Sequence, residues 1–366
     1  MCGITGIYSF TGAPTGGALP SMLDTIHHRG PDERGMLIEG PVAMGMTRLS
    51  IIDLAGGSQP MANESGSVSV IFNGEIYNYR ELAQSLRQRG HVLRTGSDTE
   101  VIAHLYEEHG AECVDHLRGM FTFALWDRAN ERLLLARDRL GIKPLYYCLR
   151  PDVLIFASEI KAILRHPEVR PALDHQALGL YLSLKYAPAP HTMFAGISSL
   201  PPGHVLTVDR AGVRTTRYWD LEFSDRPSEG SASAEQDAAD RLMALLEESI
   251  DLHLRADVPF GAFLSGGIDS SLIVALMSRR LSEPVRTYAL GFEEVGGEAS
   301  ELPYARTVAK ALDTQHSEVL IGPKEFIQDA HDVIWHMDQP IADQATVATY
   351  RLAQAASRDV KMVLTG

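Results

Sequence analysis

Two stretches of this chain hold reactive side chains at spacings that suit chemistry. One is Ser265-Gly266-Gly267-Ile268-Asp269-Ser270-Ser271, set between an apolar run and a helical apolar pattern over 272–277. That order reads as buried strand, tight loop, helix start. Adjacent glycines let the backbone approach an anion, and free N–H groups at a helix start point at it. Ser265, Ser270 and Ser271 add hydroxyl donors, and Asp269 is placed to hold a magnesium ion beside phosphate. The plainer alternative is a turn with Asp269 or Ser270 as helix N-cap. No lysine follows the glycines, so this is not a Walker loop. The other stretch is Cys2-Gly3-Ile4-Thr5-Gly6-Ile7-Tyr8, a thiol heading a strand-like run. Were Met1 removed, one residue would carry a thiol and a free α-amine. An α-amine with a pKa near about 8 is partly neutral at pH 7 and can take the thiol's proton. The alternative reading is an ordinary buried cysteine in an apolar strand.

The elements that must position these groups fall into two textures. Residues 1–210 read as many short strands with few helices: strands at 4–8, 42–47, 68–72, 121–126, 133–136 and 153–157, helices at 79–88, 101–109 and 176–185. After a polar, turn-rich linker (211–237), helices alternate with apolar strands over 238–366, which predicts a parallel sheet buried on both faces. A nucleotide would then sit at the carboxyl ends of those strands, where Ser265–Ser271 lies. No internal repeat is present.

Composition narrows the partners. The chain has 366 residues, a net charge of -14 and 45% hydrophobic residues. Length favours about two domains. An acidic surface disfavours nucleic acid and anionic membranes. No apolar run approaches a membrane span, and the N-terminus lacks the regions of a signal peptide. Three widely separated cysteines, Cys2, Cys113 and Cys148, give no disulfide framework, which points to a reducing cytoplasm.

A resemblance sharpens this. The loop Ser-Gly-Gly-x-Asp-Ser resembles the pyrophosphate loop of ATP pyrophosphatases. Along the rest of the chain lie Met1-Cys2-Gly3-Ile4, His28-Arg29-Gly30-Pro31-Asp32, Arg48-Leu49-Ser50-Ile51-Ile52-Asp53, Asn73-Gly74-Glu75-Ile76-Tyr77-Asn78 and Gly96-Ser97-Asp98-Thr99-Glu100. Further on come Arg137-Asp138-Arg139-Leu140-Gly141-Ile142-Lys143-Pro144-Leu145, Ser158-Glu159 and Pro201-Pro202-Gly203-His204. With these motifs in this order, the chain resembles a class II glutamine amidotransferase of the N-terminal-nucleophile superfamily joined to an asparagine-synthetase-type domain.

The resemblance implies a four-layer αββα fold with antiparallel sheets (α+β) for residues 1–210 and an α/β parallel-sheet ATP domain for 238–366. It implies that Cys2 is the nucleophile and that Asn73 and Gly74 form an oxyanion hole, an amide N–H₂ and a backbone N–H aimed where the tetrahedral oxygen develops. Arg48 would pair with the glutamine carboxylate, with Leu49, Ser50, Ile51 and Ile52 beside it, and Glu75 and Asp98 would hold the ammonium. Each has a plainer alternative: a surface arginine for Arg48, a type I′ hairpin turn for Asn73-Gly74, and a capping box Ser97-x-x-Glu100 with Asp98 in the first helical turn. His27 and His28 read as loop framework rather than metal ligands, no other His/Cys/Asp cluster having metal spacing. In the second half, Leu264 and Leu290 are implied at the adenine, and Thr365-Gly366 begin another ATP-contacting loop. Gly366 falls inside a family motif, so the sequence reads as a fragment of the second site.

The implied activity is glutamine-dependent asparagine synthesis with ATP and Mg²⁺, ammonia passing from one site to an acyl-adenylate at the other. Met120 lines that path or simply fills core. The alternatives are a non-aspartate carboxylate acceptor, or a glutaminase-only or regulatory protein. A homodimer is the expected assembly.

Overall fold

The computed structural model describes residues 1–366 except 13–15, 224–231, 294–299 and 344. It divides into two compact units, Met1–Glu222 and Phe223–Gly366.

Among the described residues of the first unit, twelve strands pair into two six-stranded antiparallel sheets. One is built from β1 (Gly3–Ser9), β2 (Glu33–Glu39), β3 (Val42–Arg48), and, in the chain's later part, Tyr146–Leu149 (β8), Val153–Ala157 (β9) and Ser198–Ser199 (β10), in the order β10-β8-β9-β1-β3-β2. The other contains β4 (Met61–Ala62), β5 (Val68–Ile76), β6 (Gly119–Asp127), β7 (Arg132–Arg137), β11 (His204–Asp209) and β12 (Gly212–Arg217), in the order β12-β11-β7-β6-β5-β4. Alternation along each strand places one set of side chains between the sheets. Ile4, Tyr8, Met44, Met46 and Phe156 meet Ile71, Ala124, Trp126, Leu135 and Leu206 there. Each large side chain buried in this layer contributes roughly 1.5–3 kcal/mol.

Helices cover the two outer faces. Leu19–Thr25 (α1) and a short helix at Ile160–Ile163 (α4) lay Leu19, Met22, Leu23 and Ile163 on the first sheet. Tyr79–Gln88 (α2) and Glu100–His109 (α3) lay Tyr79, Ala83, Leu86, Val101, Ile102 and Leu105 on the second. A fifth helix is His175–Leu184 (α5), capped by Asp174, whose side chain accepts the Ala177 N–H. Three apolar layers separate four layers of structure, which is the αββα fold.

The expected linker differs from what is found. Residues 212–217 form β12, which pairs along its whole length with β11, and Tyr218 N–H donates to Gly203 O at 2.9 Å. The stretch 211–222 therefore completes the first unit, and the following helix opens at residue 232 rather than 238. Residues 224–231 of the expected linker lie outside the described residues.

The second unit alternates as expected: α6 (Ala232–His253), β13 (Phe260–Phe263), α7 (Ile268–Arg280), β14 (Arg286–Phe292), α8 (Leu302–Ala311), β15 (Gln315–Ile321), α9 (Pro323–Met337), α10 (Ala345–Ala356) and β16 (Met362–Leu364). Among its described residues four strands form one sheet, all parallel, in the order β15-β14-β13-β16. Ala262, Leu264, Val274 and Ala305 pack on one side, while Tyr288, Leu352 and Val360 pack on the other. The expectation of uniformly apolar strands fails at β15. It is an edge strand, and most of its side chains are exposed or only half-buried. Among the described residues no helix is long and apolar enough to cross a membrane.

Candidate active sites

Cys2 heads β1, the strand that runs between β9 and β3 in the first sheet. Its Sγ lies 3.4 Å from the Leu49 N–H and 3.6 Å from the Leu49 carbonyl, at the end of β3. The Arg29 guanidinium donates from Nε to the Cys2 carbonyl (2.8 Å) and from Nη1 to Glu159 (2.8 Å). Glu159 also receives His28 Nε2 (3.0 Å) and Lys161. Burial alone would raise the Glu159 carboxyl, but His28, Arg29 and Lys161 outweigh it and hold it at about 2. A permanently ionised carboxylate thus anchors the arginine that clamps the chain's start. His28 is framework, as its sequence context suggested.

Around the thiol the charges are buried and opposed. Burial lowers the N-terminal amine to about 5, with Arg29 and Lys143 adding to the effect, and burial also pushes the Cys2 thiol up. Lys143, 4% exposed, lies 3.0 Å from the Met1 sulfur, and burial brings its ammonium down to about 8. Lys143 is aimed by the buried Asp138, whose carboxylate accepts the N–H groups of Phe121, Leu140, Ile142 and Lys143. Glu75 and Asp98 belong to the same cluster. Burial raises Glu75 well above the usual carboxylate range, and Asp98 adds to it; burial likewise carries Asp98 to about 6, though it accepts the Ile76 N–H at 2.9 Å.

Asn73 and Gly74 are not a hairpin turn. They lie inside β5, where Asn73 is registered with Thr122 and Gly74 with Phe121 of β6. The glycine is needed for close approach: a Cβ there would stand 2.2 Å from the Met120 carbonyl oxygen. Asn73 is 1% exposed, yet neither Nδ2 nor Oδ1 has a hydrogen-bond partner. Buried amides are nearly always satisfied, so an orphaned donor marks a place where something else is received. Met120, opposite Glu75 in the ladder, is half-buried.

Arg48 is 4% exposed, so it is no surface arginine. Its guanidinium is engaged by Glu33 (3.0 Å) and by the carbonyls of Ile52 (3.2 Å), Asp53 (2.7 Å) and Leu54 (3.4 Å). These four bonds all come from Nη1 and Nη2, so a substrate carboxylate would meet an already engaged guanidinium. Leu49, Ser50, Ile51 and Ile52 form the segment between that arginine and the 53–57 turn; Ser50 N–H donates to Asp32, and Ile52 is packed into the outer core. Asp53, for which sequence suggested no role, ties this turn to the Asp98 segment by accepting the Gly56 and Gly96 N–H groups, both at 2.8 Å.

The capping box offered as the plainer alternative for this stretch does not form. Ser97 Oγ accepts from Thr99 N–H, while Glu100 reaches back to the N–H groups of Arg94 and Thr95 at 2.7 and 2.8 Å. Glu100 is drawn off because the 94–95 segment needs its donors satisfied, and Thr99 stands at the N-cap without a side-chain capping bond, its hydroxyl accepting instead from the Gln59 amide at 3.2 Å.

In the second unit β13 leads into the glycine loop. Gly266 adopts a φ of +84°, and a Cβ there would lie 2.5 Å from Ala305 N, so the loop is pressed against the start of α8. Gly267, not Asp269 or Ser270, is the N-cap of α7, which puts Asp269 in the helix's first turn. Ser265 Oγ bridges Ser270 Oγ (3.0 Å) and the Gly267 N–H (3.2 Å). The Ser271 hydroxyl is buried without a partner. Thr365-Gly366 emerge from the end of β16, parallel and adjacent to β13, and a Cβ on Gly366 would stand 2.3 Å from Ser270 N. The two loops therefore share one edge of the sheet. Leu264 is 1% exposed within the core and its N–H donates to Tyr288 O, so its side chain is structural; Leu290 is partly buried on the other face.

Two folded units with a thiol-headed antiparallel sandwich and a serine–glycine loop on a parallel sheet define a class. The chain belongs to the glutamine amidotransferase domain family, whose model matches residues 1–219, and the model described as asparagine synthase matches residues 241–366. More particularly, it is 36% identical to asparagine synthetase [glutamine-hydrolyzing] 1 of Bacillus subtilis, covering all of this chain and 57% of that protein. It is 38% identical to a putative asparagine synthetase [glutamine-hydrolyzing] of Mycobacterium bovis, over all of this chain and 59% of that protein. The Gibberella zeae protein named amidase chry2 is 33% identical over 95% of this chain and 54% of its own length. The chain thus spans a little over half the length of these relatives.

Proposed function

We propose that the protein of which this chain is part transfers glutamine-derived ammonia to a carboxylate activated by ATP, aspartate being the acceptor and asparagine the product. The observation that carries the reading is the orphaned Asn73 amide two residues from Glu75, in a strand whose acidic neighbours share the charge environment of the Cys2 thiol. Such an arrangement can receive an oxyanion, a thiol-bound carbonyl and an ammonium at once.

With Met1 removed, the Cys2 amine would take the thiol's proton while sulfur attacks the glutamine side-chain amide. Asn73 Nδ2 and the Gly74 N–H would hold the developing oxyanion, Glu75 and Asp98 the ammonium, and Arg48 the carboxylate. Ammonia leaves, water frees glutamate from the thioester, and the thiol regains its proton.

At the second site the Gly266-Gly267 backbone and the hydroxyls of Ser265, Ser270 and Ser271 would cradle ATP phosphates, joined by Thr365 and Gly366. The unpartnered Ser271 hydroxyl supports this. Asp269, an exposed oxygen donor in the first turn of α7, suits Mg²⁺, which would neutralise phosphate charge. Adenylation supplies a leaving group that a bare carboxylate lacks. Leu264 and Leu290 would frame the adenine by backbone rather than by the buried Leu264 side chain. The free thiols of Cys2, Cys113 and Cys148 suit a cytoplasmic enzyme, and a homodimer is its proposed assembly.

The second reading is the same chemistry on a carboxylate other than aspartate. The full-length protein, given ATP, glutamine and a panel of carboxylic acids, decides between them through pyrophosphate release. Release with aspartate, with asparagine formed, is expected. Release only with another acid selects the second reading, and release with none overturns both.

The acidic pair also sets a pH dependence. The folded-state pKa of Asp98 is raised from the ordinary 3.8 to about 6, so its contribution to stability is full below 3.8 and is lost as pH rises through about 6. Ammonium binding needs the opposite, ionised form. The kcat/KM for glutamine is therefore expected to fall about tenfold per pH unit below roughly pH 6. A profile that stays flat to pH 5, or one unchanged in Asp98→Asn, would contradict the assignment.

A further inference from the structure

Away from both sites, four side chains from three separate segments turn their donor atoms toward one point. Glu64 lies in the turn between β4 and β5, His91 just beyond α2, and His104 and Glu107 one turn apart on α3. One ligand atom from each lies within 4.8 Å of all the others. From this convergence we infer a structural zinc site formed by His91 Nδ1, His104 Nδ1, Glu64 and Glu107.

The spacing fits four-coordinate geometry. Ligands about 2.0–2.1 Å from a tetrahedral zinc stand roughly 3.4 Å from one another. Here His91 Nδ1 and His104 Nδ1 are 3.2 Å apart, and His104 Nδ1 is 3.0 Å from Glu64 Oε2 and 3.3 Å from Glu107 Oε2. His91 Nδ1 is 3.6 Å from Glu107 Oε2 and 3.6 Å from the other Glu64 oxygen, Oε1, so the Glu64 carboxylate faces both rings. Glu64 Oε2 is buried and forms no hydrogen bond despite its nearness to His104, so it is aimed at a shared centre rather than at the ring's proton.

The outward faces of the imidazoles decide what the inward faces carry. His91 Nε2 lies 3.0 Å from Glu108 Oε1, and His104 Nε2 lies 3.7 Å from Glu100 Oε1. The Nε2 of His91, held at hydrogen-bond distance by a carboxylate, keeps its proton, which leaves a lone pair on its Nδ1; the His104 Nε2 is buried without a hydrogen-bond partner. That lone pair lies 3.2 Å from the His104 Nδ1 with two carboxylates beside it, a set of donors that a cation at their centre would reconcile. The far oxygen of Glu107 accepts the Asn63 amide at 2.6 Å, which holds that ligand in turn. A mixed imidazole–carboxylate set of four suits Zn²⁺, whereas Mg²⁺ and Ca²⁺ call for oxygen alone.

The site would staple the β4–β5 turn and the segment after α2 onto α3. His104 is fully buried, and Glu100 behind it binds the Arg94 and Thr95 N–H groups, in the segment that leads to Asp98. The competing account of the same geometry is a proton shared between the two rings.

The test uses the whole chain, stripped with a chelator and returned to zinc chloride or magnesium chloride. One zinc per chain by elemental analysis, a melting temperature raised by zinc and not by magnesium, and the intense visible absorption of four-coordinate cobalt on Co²⁺ substitution are expected. His91→Asn and Glu64→Gln, both at partly exposed positions, should weaken zinc binding on the order of 100-fold or more and abolish the zinc-induced rise in melting temperature. Zinc uptake by the unaltered chain no greater than by the two variants would overturn the site and leave the shared proton.

Discussion

Cys2→Ala is expected to lower glutamate release from glutamine by on the order of 10⁴-fold or more, because the proposed thioester forms on the Cys2 sulfur and alanine offers no nucleophile in its place. Stability should hardly change. The thiol's polar contacts are two long ones to Leu49, at 3.4 and 3.6 Å, and the backbone clamp from Arg29 reaches the carbonyl, which alanine keeps. In the full-length protein, amide formation from added ammonium salt should persist, since that nitrogen bypasses the thiol. Glutamate release is read by a coupled assay and ammonia-dependent product by chromatography. Retained glutaminase activity would remove Cys2 from the mechanism, while loss of both activities would end the division of labour between two sites.

The second large effect concerns Asn73. Removing one oxyanion donor costs 10²–10³ in kcat, about 2.7–4 kcal/mol of transition-state stabilisation. Asn73→Ala should show that loss in kcat with KM for glutamine little altered, because the donor acts on charge that develops only during reaction. The structure adds a second signature. An ordinary buried asparagine, such as Asn63 with its amide bonded to Ser65, Ser67 and Glu107, gives up hydrogen bonds when truncated. Asn73 has none to lose. A melting temperature close to that of the unaltered protein, together with a collapsed kcat, is the expected pair. A marked fall in stability with kcat preserved would make Asn73 a structural residue.

Local patterns were legible because their causes are local. Helix α2 begins and ends where the sequence placed it, since Tyr79, Ala83 and Leu86 recur at helical spacing and form its buried face. The alternation of helices and apolar runs after residue 238 gave the parallel sheet, and serine–glycine chemistry gave the loop that β13 and α7 support. The cysteine at the head of the first strand was equally visible. The motif pieces around Arg29, Asp138, Lys143 and Glu159 could be read, though not their purpose, because nothing in sequence says that residue 159 anchors residue 29 and that residue 29 grips residue 2.

Other elements escaped because their signal is weak or ambiguous. β2 alternates half-buried and exposed residues, and β12 is largely exposed, so neither shows an apolar run. Asn-Gly at 73–74 has the composition of a hairpin, and only the pairing of β5 with β6 along nine residues turns it into straight strand. Ser97-x-x-Glu100 has the spacing of a capping box, but the 94–95 backbone competes for the glutamate and wins. What the sequence by itself determined was which residues could be nucleophile, phosphate loop and core face, since these depend on residue type and on spacings of a few positions. Only the tertiary structure decided which of them meet: Glu64 with His91 and His104, Glu159 with Arg29, Gly366 with Ser270. Those meetings depend on how sheets and helices stack, and stacking is fixed by the sum of many weak apolar contacts that no short stretch of sequence contains.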